Sequence, residues 1–305
     1  MANPLLCNPE TGICEMPERA ASEAVQTPQT IHTSPVKIIY FTDPICSSCW
    51  GIEPQLRKLK LEYGHLLEVE YRMGGLLPSW DIYNAGGISK PADVAQHWDE
   101  VSRYYQMPID GYVWLTDPLS SSYPPSIAFK AAELQDREKA QLFLRKLREM
   151  VFIGNKNIAR WEFMDEAALY ASLDVAQLKQ DYAGEGKRLF EEDLQLARKM
   201  RVRGFPTLFF TSQTGDTATL HGFRPYAHFE GMLLQLADKA QKRGYRRDNL
   251  DLFNYFSSLT AREFAELKGV SIQEADAVLS GFEQEGLLSS LAIRNGKLWT
   301  KSLSL

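Results

Sequence analysis

The chain has 305 residues, of which 44% are hydrophobic and 24% charged, and its formal net charge is -5. This length predicts one large domain and a smaller one, with a core that needs no disulfide bonds. The acidic balance argues against nucleic acid as the main partner. No apolar stretch is long enough to span a bilayer, and the N-terminus lacks the basic and apolar regions of a secretory signal. We therefore expect a cytoplasmic protein, in which a disulfide is more often catalytic or sensing than structural.

Residues 1–35 are rich in Pro, Thr and Glu and predict an irregular N-terminal arm. The arm contains two cysteines, Cys7 and Cys14, as accessory site candidates. They could be ordinary reduced cysteines or could close a small disulfide loop. Exchange with a second cysteine pair further along the chain, or a four-cysteine zinc site, are the other interpretations.

The second pair, Cys46 and Cys49, lies between a predicted buried strand at 36–41 and a predicted helix at 47–63. The free N–H groups and the dipole of a helix start favour a thiolate, which is the nucleophile in disulfide exchange. Cys46 is therefore the predicted attacking residue, and Cys49 the residue that resolves a mixed disulfide. Half of a zinc site or two inert cysteines are the alternatives. Glu53 is a candidate proton relay one turn later, although a solvated helix acid is the default interpretation.

Residues 36–243 predict one sheet domain that is interrupted by a helical insertion. A second strand at 67–73 completes a βαβ unit. The insertion covers about 76–200, with predicted helices at 91–105, 125–151, 162–172, 175–182 and 185–200. The sheet resumes with strands at 202–210 and 217–223 and a closing helix at 226–242. Pro206 cannot donate to a strand ladder, which predicts that it lies where a strand begins.

Residues 249–305 predict a small winged-helix-like module of three helices and a hairpin. The first helix is predicted at 250–259, and two capping boxes, Thr260 to Glu263 and Ser271 to Glu274, open the others. An Asn-Gly turn predicts the hairpin at 291–300. The third helix carries acidic residues and no Lys or Arg, so we expect packing or protein interaction there and no binding of nucleic acid.

The Cys46-Ser47-Ser48-Cys49 unit, the long helical insertion and Gly204-Phe205-Pro206-Thr207 together resemble the DsbA-like branch of the thioredoxin superfamily. The resemblance covers residues 36–242 and implies a thioredoxin-like (DsbA-like) α/β fold. It also implies that Pro206 is cis and faces the cysteines, and that Phe205, Pro206 and Thr207 bind a substrate peptide. Neither an organic cofactor nor a metal is expected.

Within that branch, a cytoplasmic chain with a trailing winged-helix-like module is similar to the YjbH (SpxH) adaptor group. Asp43-Pro44, Trp50 after the second cysteine and the segment 111–115 carry this similarity. The resemblance implies delivery of a transcription regulator to the ClpXP protease. The arm with Cys7 and Cys14 departs from the group's pattern.

These patterns predict a thiol–disulfide oxidoreductase that acts on protein or peptide thiols and disulfides. Cys46 would attack, Cys49 would resolve, and residues 205–207 would hold the peptide. Neither a His nor a charged residue stands between the cysteines, so a mild oxidant is expected. The alternative is a redox-sensitive adaptor that delivers a partner protein to ClpXP. A protease or a regulator is then the partner, and no membrane partner is expected in either case.

Overall fold

The computed structural model describes residues 7–8, 13–15, 35–83 and 88–302. Two short strands come first in these ranges, β1 (Cys7–Asn8) and β2 (Ile13–Glu15), and they pair in antiparallel fashion. These two segments are short strands within the arm that the sequence predicts to be mostly irregular, because each finds a pairing partner. Residues 1–6, 9–12 and 16–34 lie outside the described ranges.

The first half of the central sheet is a βαβ unit, as predicted. Strands β3 (Val36–Thr42) and β4 (Leu67–Met73) pair in parallel. The single helix predicted between them is two helices, α1 (Ser47–Gly51) and α2 (Glu53–Tyr63), followed by a 3₁₀ turn. Pro54 lies in the first turn of α2 and has no N–H to donate back to α1, so the helix is interrupted at this point.

Seven helices occupy the described residues between β4 and the next strand. They are α3 (Pro91–Tyr105), α4 (Val113–Thr116), α5 (Tyr123–Gln135), α6 (Arg137–Phe152), α7 (Trp161–Tyr170), α8 (Val175–Asp181) and α9 (Lys187–Lys199). A π-helical turn at Tyr182–Gly186 joins the last two. Between α5 and α6, Asp136 accepts hydrogen bonds from the amides of Glu138 and Lys139 at 2.8 and 2.9 Å, which fixes the start of α6.

The second half of the sheet contains β5 (Gly204–Phe205), β6 (Thr207–Ser212) and β7 (Thr217–His221), followed by α10 (Tyr226–Leu236). The strand order is β4-β3-β6-β7, with β6 antiparallel to both of its neighbours. Pro206 divides the one predicted strand into β5 and β6. The predicted end of the closing helix at 242 is wrong, because the chain leaves α10 and returns to α2, where the amide of Arg243 donates to the carbonyl of Glu62 at 2.8 Å.

The C-terminal residues form a small α/β unit. After a 3₁₀ turn at Asn249–Asp251 come α11 (Leu252–Tyr255), β8 (Ser258–Thr260), α12 (Ala261–Lys268), α13 (Ile272–Gln284), β9 (Leu288–Ile293) and β10 (Gly296–Lys301). The sheet order is β8-β10-β9. The predicted helix at 250–259 is wrong beyond Tyr255, because Ser258–Thr260 pair with β10. The hairpin forms as predicted, but its two turn residues are Arg294 and Asn295, since Gly296 already pairs with Ile293.

Two hydrophobic cores organise the described chain. The larger one joins the central sheet to the inserted helices and includes both Cys46 and Cys49. The smaller one lies within the C-terminal unit and centres on Phe264 and the fully buried Trp299. Each large apolar side chain that is fully buried contributes about 1.5–3 kcal/mol. Leu61 of α2 packs against the smaller core, which places the C-terminal unit beside the helix that follows the cysteine pair.

Candidate functional site

The cysteine pair lies where β3 ends and α1 begins, as the sequence predicts. Cys46 is the N-cap of α1, and its Sγ accepts a hydrogen bond from the amide of Cys49 at 3.1 Å. The two residues form a disulfide, with their Cα atoms 5.2 Å apart. Both side chains are 0% exposed. The position at a helix N-terminus suits a thiolate, but neither sulfur is open to solvent in this conformation.

Asp43 fixes the turn between β3 and Cys46. Its Oδ1 accepts the amide of Ile45 at 3.0 Å, and its Oδ2 accepts the amide of Leu76 and the hydroxyl of Ser122, both at 2.8 Å. The carboxyl is fully buried, and this burial raises its pKa to about 6 despite the hydrogen bonds. Sequence reasoning noted Asp43 only as part of a motif, although a carboxyl before Pro in a tight turn is a recognisable signal.

The helical insertion covers α1. The hydroxyls of Ser48 and Tyr105 lie 2.6 Å apart, and burial raises the pKa of the Tyr105 phenol. The indole Nε1 of Trp50 donates to the carbonyl of Pro108 at 3.1 Å, and its ring stacks on Phe152 at a centroid distance of 5.5 Å. These contacts hold the cysteine helix against α3 and α6.

Pro206 lies at the same end of the sheet as the cysteines. The Phe205–Pro206 peptide is cis, as the resemblance implies. Thr207 pairs with Phe41 near the end of β3, and its hydroxyl donates to the carbonyl of Gly204 at 2.7 Å. Residues 205–207 are all buried, so none of these three side chains is free to contact a substrate in this conformation. Their peptide-binding role stays a prediction.

Phe205 is buried against Gly74, which directly follows β4. A Cβ atom at Gly74 would lie 1.7 Å from the Phe205 ring, so only glycine fits beneath this ring. The amide of Gly74 also donates to the carbonyl of Thr42 at 2.8 Å. The ring of Phe205 therefore acts as a packing element between β4 and β5, a role that sequence reasoning missed.

Glu53 is not a solvated helix acid. Its side chain is 14% exposed, and its Oε1 lies 2.5 Å from Nη1 of Arg148, a residue of α6. Arg148 is fully enclosed and also donates to Thr42 Oγ1 at 2.5 Å and to the carbonyl of Asp43 at 3.3 Å. The default interpretation was wrong because the partner comes from the insertion, about a hundred residues away. A proton relay through Glu53 stays a prediction.

A second buried ion cluster joins α6 and α2, the helix that follows the cysteine helix, to the C-terminal unit. Glu263 of α12 is fully buried and accepts hydrogen bonds from Arg145 at 2.6 and 3.2 Å. Arg57 Nη1 lies 3.2 Å from the same carboxylate and donates to the carbonyl of Ser258 at 2.8 Å. Burial opposes ionisation of Glu263, but the two arginines lower its pKa below the ordinary value. The Arg145 guanidinium also lies 4.4 Å from the ring centroid of Trp50, next to Cys49.

The accessory cysteines of the arm are placed by backbone pairing. Cys7 lies opposite Cys14 in the β1–β2 ladder, and Cys14 lies opposite Phe205 in the β2–β5 ladder.

Among the residues that the structure describes, no three His, Cys, Asp or Glu side chains lie close enough together to hold a metal ion. In the same part of the chain, no helix combines the length and apolarity needed to cross a bilayer.

Comparisons with known proteins agree with this geometry. A family profile described as thioredoxin matches residues 40–231. A putative protein disulfide isomerase from Nitrosomonas europaea is similar in structure, at 22% identity and a TM-score of 0.54 over 67% of this chain and 97% of the other. The cytosolic disulfide reductase DsbM from Pseudomonas aeruginosa gives 20% identity and a TM-score of 0.53 over 66% and 99%. The chain is therefore a thioredoxin-fold protein with DsbA-like neighbours.

Sequence similarity identifies the family of thioredoxin-fold proteins to which the chain belongs. The ClpXP adapter protein SpxH of Halalkalibacterium halodurans is 30% identical over 298 residues, which cover 96% of each chain. The chain belongs to the SpxH family of the thioredoxin superfamily. The alignment reaches well past residue 231, where the thioredoxin profile ends, and so includes the C-terminal unit.

Proposed function

We propose that this protein is a cytoplasmic adaptor that binds a protein substrate and delivers it to the ClpXP protease, with the Cys46–Cys49 pair as a redox-sensitive element. The observation that carries this proposal is the similarity to a ClpXP adapter over 96% of the chain. The part beyond the thioredoxin profile is shared with that adapter. We therefore assign the adaptor function, which thioredoxin-type disulfide chemistry does not require, to this part of the chain.

Burial of the cysteines supports binding over turnover. A disulfide exchange needs an accessible sulfur atom, because the attacking thiolate must approach along the S–S axis. Cys46 and Cys49 are both 0% exposed. The pair therefore suits a sensor that reports the redox state by altering the packing around α1 better than it suits a catalyst that meets many substrates.

The C-terminal unit supports a protein partner. Glu274 and Asp276 of α13 are exposed, and so is Glu285, which directly follows the helix. Phosphate groups would be repelled by these carboxylates, whereas a basic protein surface would be attracted to them. The ion cluster around Glu263 links this unit to α2 and α6, and Arg145 of the cluster also contacts Trp50 of α1, so a partner on the unit and a redox change at Cys46 act on one connected structure.

A degradation assay tests the proposal. Purified ClpXP is incubated with a candidate regulator, with and without this protein, under reducing and oxidising conditions. We expect the protein to accelerate loss of the regulator, and Cys46→Ser to retain this acceleration while losing the dependence on redox conditions. If neither form changes the rate of degradation, the adaptor proposal fails.

Thiol–disulfide oxidoreductase activity is the second candidate. It is favoured by a Cys-x-x-Cys pair at a helix N-terminus beside a cis Pro206. Reduction of insulin and refolding of a scrambled disulfide protein test it, with Cys46→Ser as the control. Wild-type turnover that Cys46→Ser lacks would support the enzyme, and a lack of turnover in both would exclude it.

A further inference from the structure

The N-terminal arm forms a sheet with the strand that precedes Pro206. This sheet has the order β1-β2-β5, with Cys14 opposite Phe205 and Glu15 opposite Gly204. An extended segment that adds to a strand edge is bound mainly by main-chain hydrogen bonds. The chain's own arm therefore occupies the backbone edge at which the resemblance to the DsbA-like branch implies that a substrate peptide binds.

The same strand lies beside the cysteine helix. Cα atoms of β2 come within 8 Å of Cα atoms of α1, the helix that Cys46 caps. A disulfide requires Cα atoms within about 7 Å of each other. The backbone thus places β2, the strand that contains Cys14, next to the helix that Cys46 caps.

The arm also contains the partner that would complete such an exchange. Cys7 and Cys14 are directly opposite in antiparallel strands. Opposed residues in such strands have Cα atoms about 4.5–5.5 Å apart, and this spacing lies within the range that a disulfide spans.

We infer that the arm is an internal substrate of the cysteine site, with Cys14 as the residue that exchanges with Cys46. This inference rests on the redox-sensing part of the function proposed above. It assigns to Cys7 and Cys14 a role for which neither the fold nor the family similarity accounts. The arm would report the redox state of the site by changing its own disulfide.

The exchange proceeds in two steps, each of which forms one S–S bond and breaks another. The Cys14 thiolate attacks Cys46 Sγ, which forms the Cys14–Cys46 bond, breaks the Cys46–Cys49 bond and releases Cys49 as a thiolate. The Cys7 thiolate then attacks Cys14 Sγ, which forms the Cys7–Cys14 bond and releases Cys46. The arm loses two electrons and the site gains them, and the two thiol protons of the arm end on Cys46 and Cys49. No external oxidant or reductant is consumed.

A trapping experiment in the full-length protein tests this exchange. In the variant Cys7→Ser/Cys49→Ser, Cys14 and Cys46 are the remaining cysteines. After treatment with oxidised glutathione, non-reducing peptide mapping should find them joined. The matched control Cys14→Ser/Cys49→Ser keeps Cys7 and Cys46, and β1 does not pair with β5. We expect at least about tenfold less intramolecular crosslink in the control, because β2 gives Cys14 the higher effective concentration.

The possible outcomes separate this inference from the adaptor proposal. Glutathione on Cys46 without a Cys14–Cys46 bond would overturn the inference and leave the redox site intact. A strong Cys14–Cys46 bond in a protein that does not stimulate ClpXP would support the inference and contradict the adaptor function. Equal yields of the Cys7–Cys46 crosslink in the control and of the Cys14–Cys46 crosslink in the test variant would also overturn the inference, since the register of β2 would then have no effect.

A second variant tests the strand pairing itself. Ile13→Pro/Glu15→Pro removes two amide hydrogens from β2 and disfavours its pairing with β5. In the Cys7→Ser/Cys49→Ser background, we expect this change to reduce the Cys14–Cys46 crosslink by about tenfold. The control Glu23→Pro places a proline elsewhere in the first 35 residues and should leave the crosslink unchanged. A crosslink that survives the loss of β2 pairing would contradict the inference.

Discussion

Gly74 supports the site through the absence of a side chain. The Phe205 ring occupies the space where a Cβ would be, at 1.7 Å. We predict that Gly74→Ala displaces this ring and lowers the free energy of unfolding by about 2 kcal/mol or more. Urea denaturation measures the change.

Gly64 provides the matched control for that substitution. It has a helical φ of -55°, and no atom lies within 4 Å of the position that an added methyl group would take. Gly64→Ala should therefore be neutral or stabilising by about 0.4–1 kcal/mol. Equal effects of the two substitutions would show that the Phe205 contact is unimportant.

Asp43 makes the stability depend on pH. Its pKa in the folded protein is about 6, above the value of about 3.9 for an unfolded aspartate. The folded state therefore binds the proton more tightly, and this contribution to stability is present below about pH 4 and is lost as pH rises through 6. The loss is on the order of 3 kcal/mol.

Comparison with Asp43→Asn isolates this effect, because asparagine does not titrate in this range. The difference in free energy of unfolding, wild type minus variant, should fall between pH 4 and pH 7. Denaturation series at several pH values measure it. A difference that stays constant with pH would mean that Asp43 titrates alike in the folded and unfolded states.

At the scale of elements, the predictions succeeded where a pattern is local. The strand–turn–helix around Cys46 and the helix at 91–105 follow from periodicity and capping within one segment. The elements that were wrong depend on distant partners: Ser258–Thr260 is a strand because β10 pairs with it, and Glu53 is buried because Arg148 covers it. Residues such as Arg148 look like surface charges in sequence, since nothing local marks their partners.

Arg148 joins three elements at the cysteine turn. Its contacts with Glu53, Thr42 and Asp43 connect α2 and β3 to α6. We predict that Arg148→Met costs about 3–5 kcal/mol, because Glu53 would lose its 2.5 Å partner and keep only the 3.9 Å ion pair with Arg57, while Thr42 and Asp43 would lose a buried donor. Arg160→Met removes an ion pair with Asp117 in which the arginine is 55% exposed, and it should cost at most about 1 kcal/mol. Thermal and urea unfolding of both variants test this contrast.

At the scale of the whole molecule, two of the contacts that attach the C-terminal unit lie at well separated points. One is the ion cluster of Glu263 with Arg145 and Arg57. The other is the β9–β10 turn, where Asn295 donates to the carbonyl of Ile109 at 2.9 Å and Arg294 pairs with Asp99 of α3. Two attachments at different points favour a fixed orientation of the unit over a flexible tether.

We predict that Glu263→Gln weakens this attachment. The substitution leaves two buried arginines without their shared carboxylate, at a cost of about 3–5 kcal/mol. Glu283→Gln changes the same residue type in an ion pair with Lys297, where both side chains are about one-third exposed, and should cost at most about 1 kcal/mol. Hydrogen exchange in α2 and α12 should increase only in Glu263→Gln; unchanged exchange there would contradict the role of the cluster.

The shared carboxylate of Glu263 also has an evolutionary consequence. Without the C-terminal unit, Arg145 and Arg57 would lose their shared carboxylate and keep only the ion pairs with Glu149 and Glu53, and a detached C-terminal unit would carry a buried glutamate without its arginine partners. Separating the two parts would therefore break buried ion pairs on both sides of the boundary. We therefore expect these two parts of the protein to have been inherited as one unit, and to resist dissection into separately stable fragments.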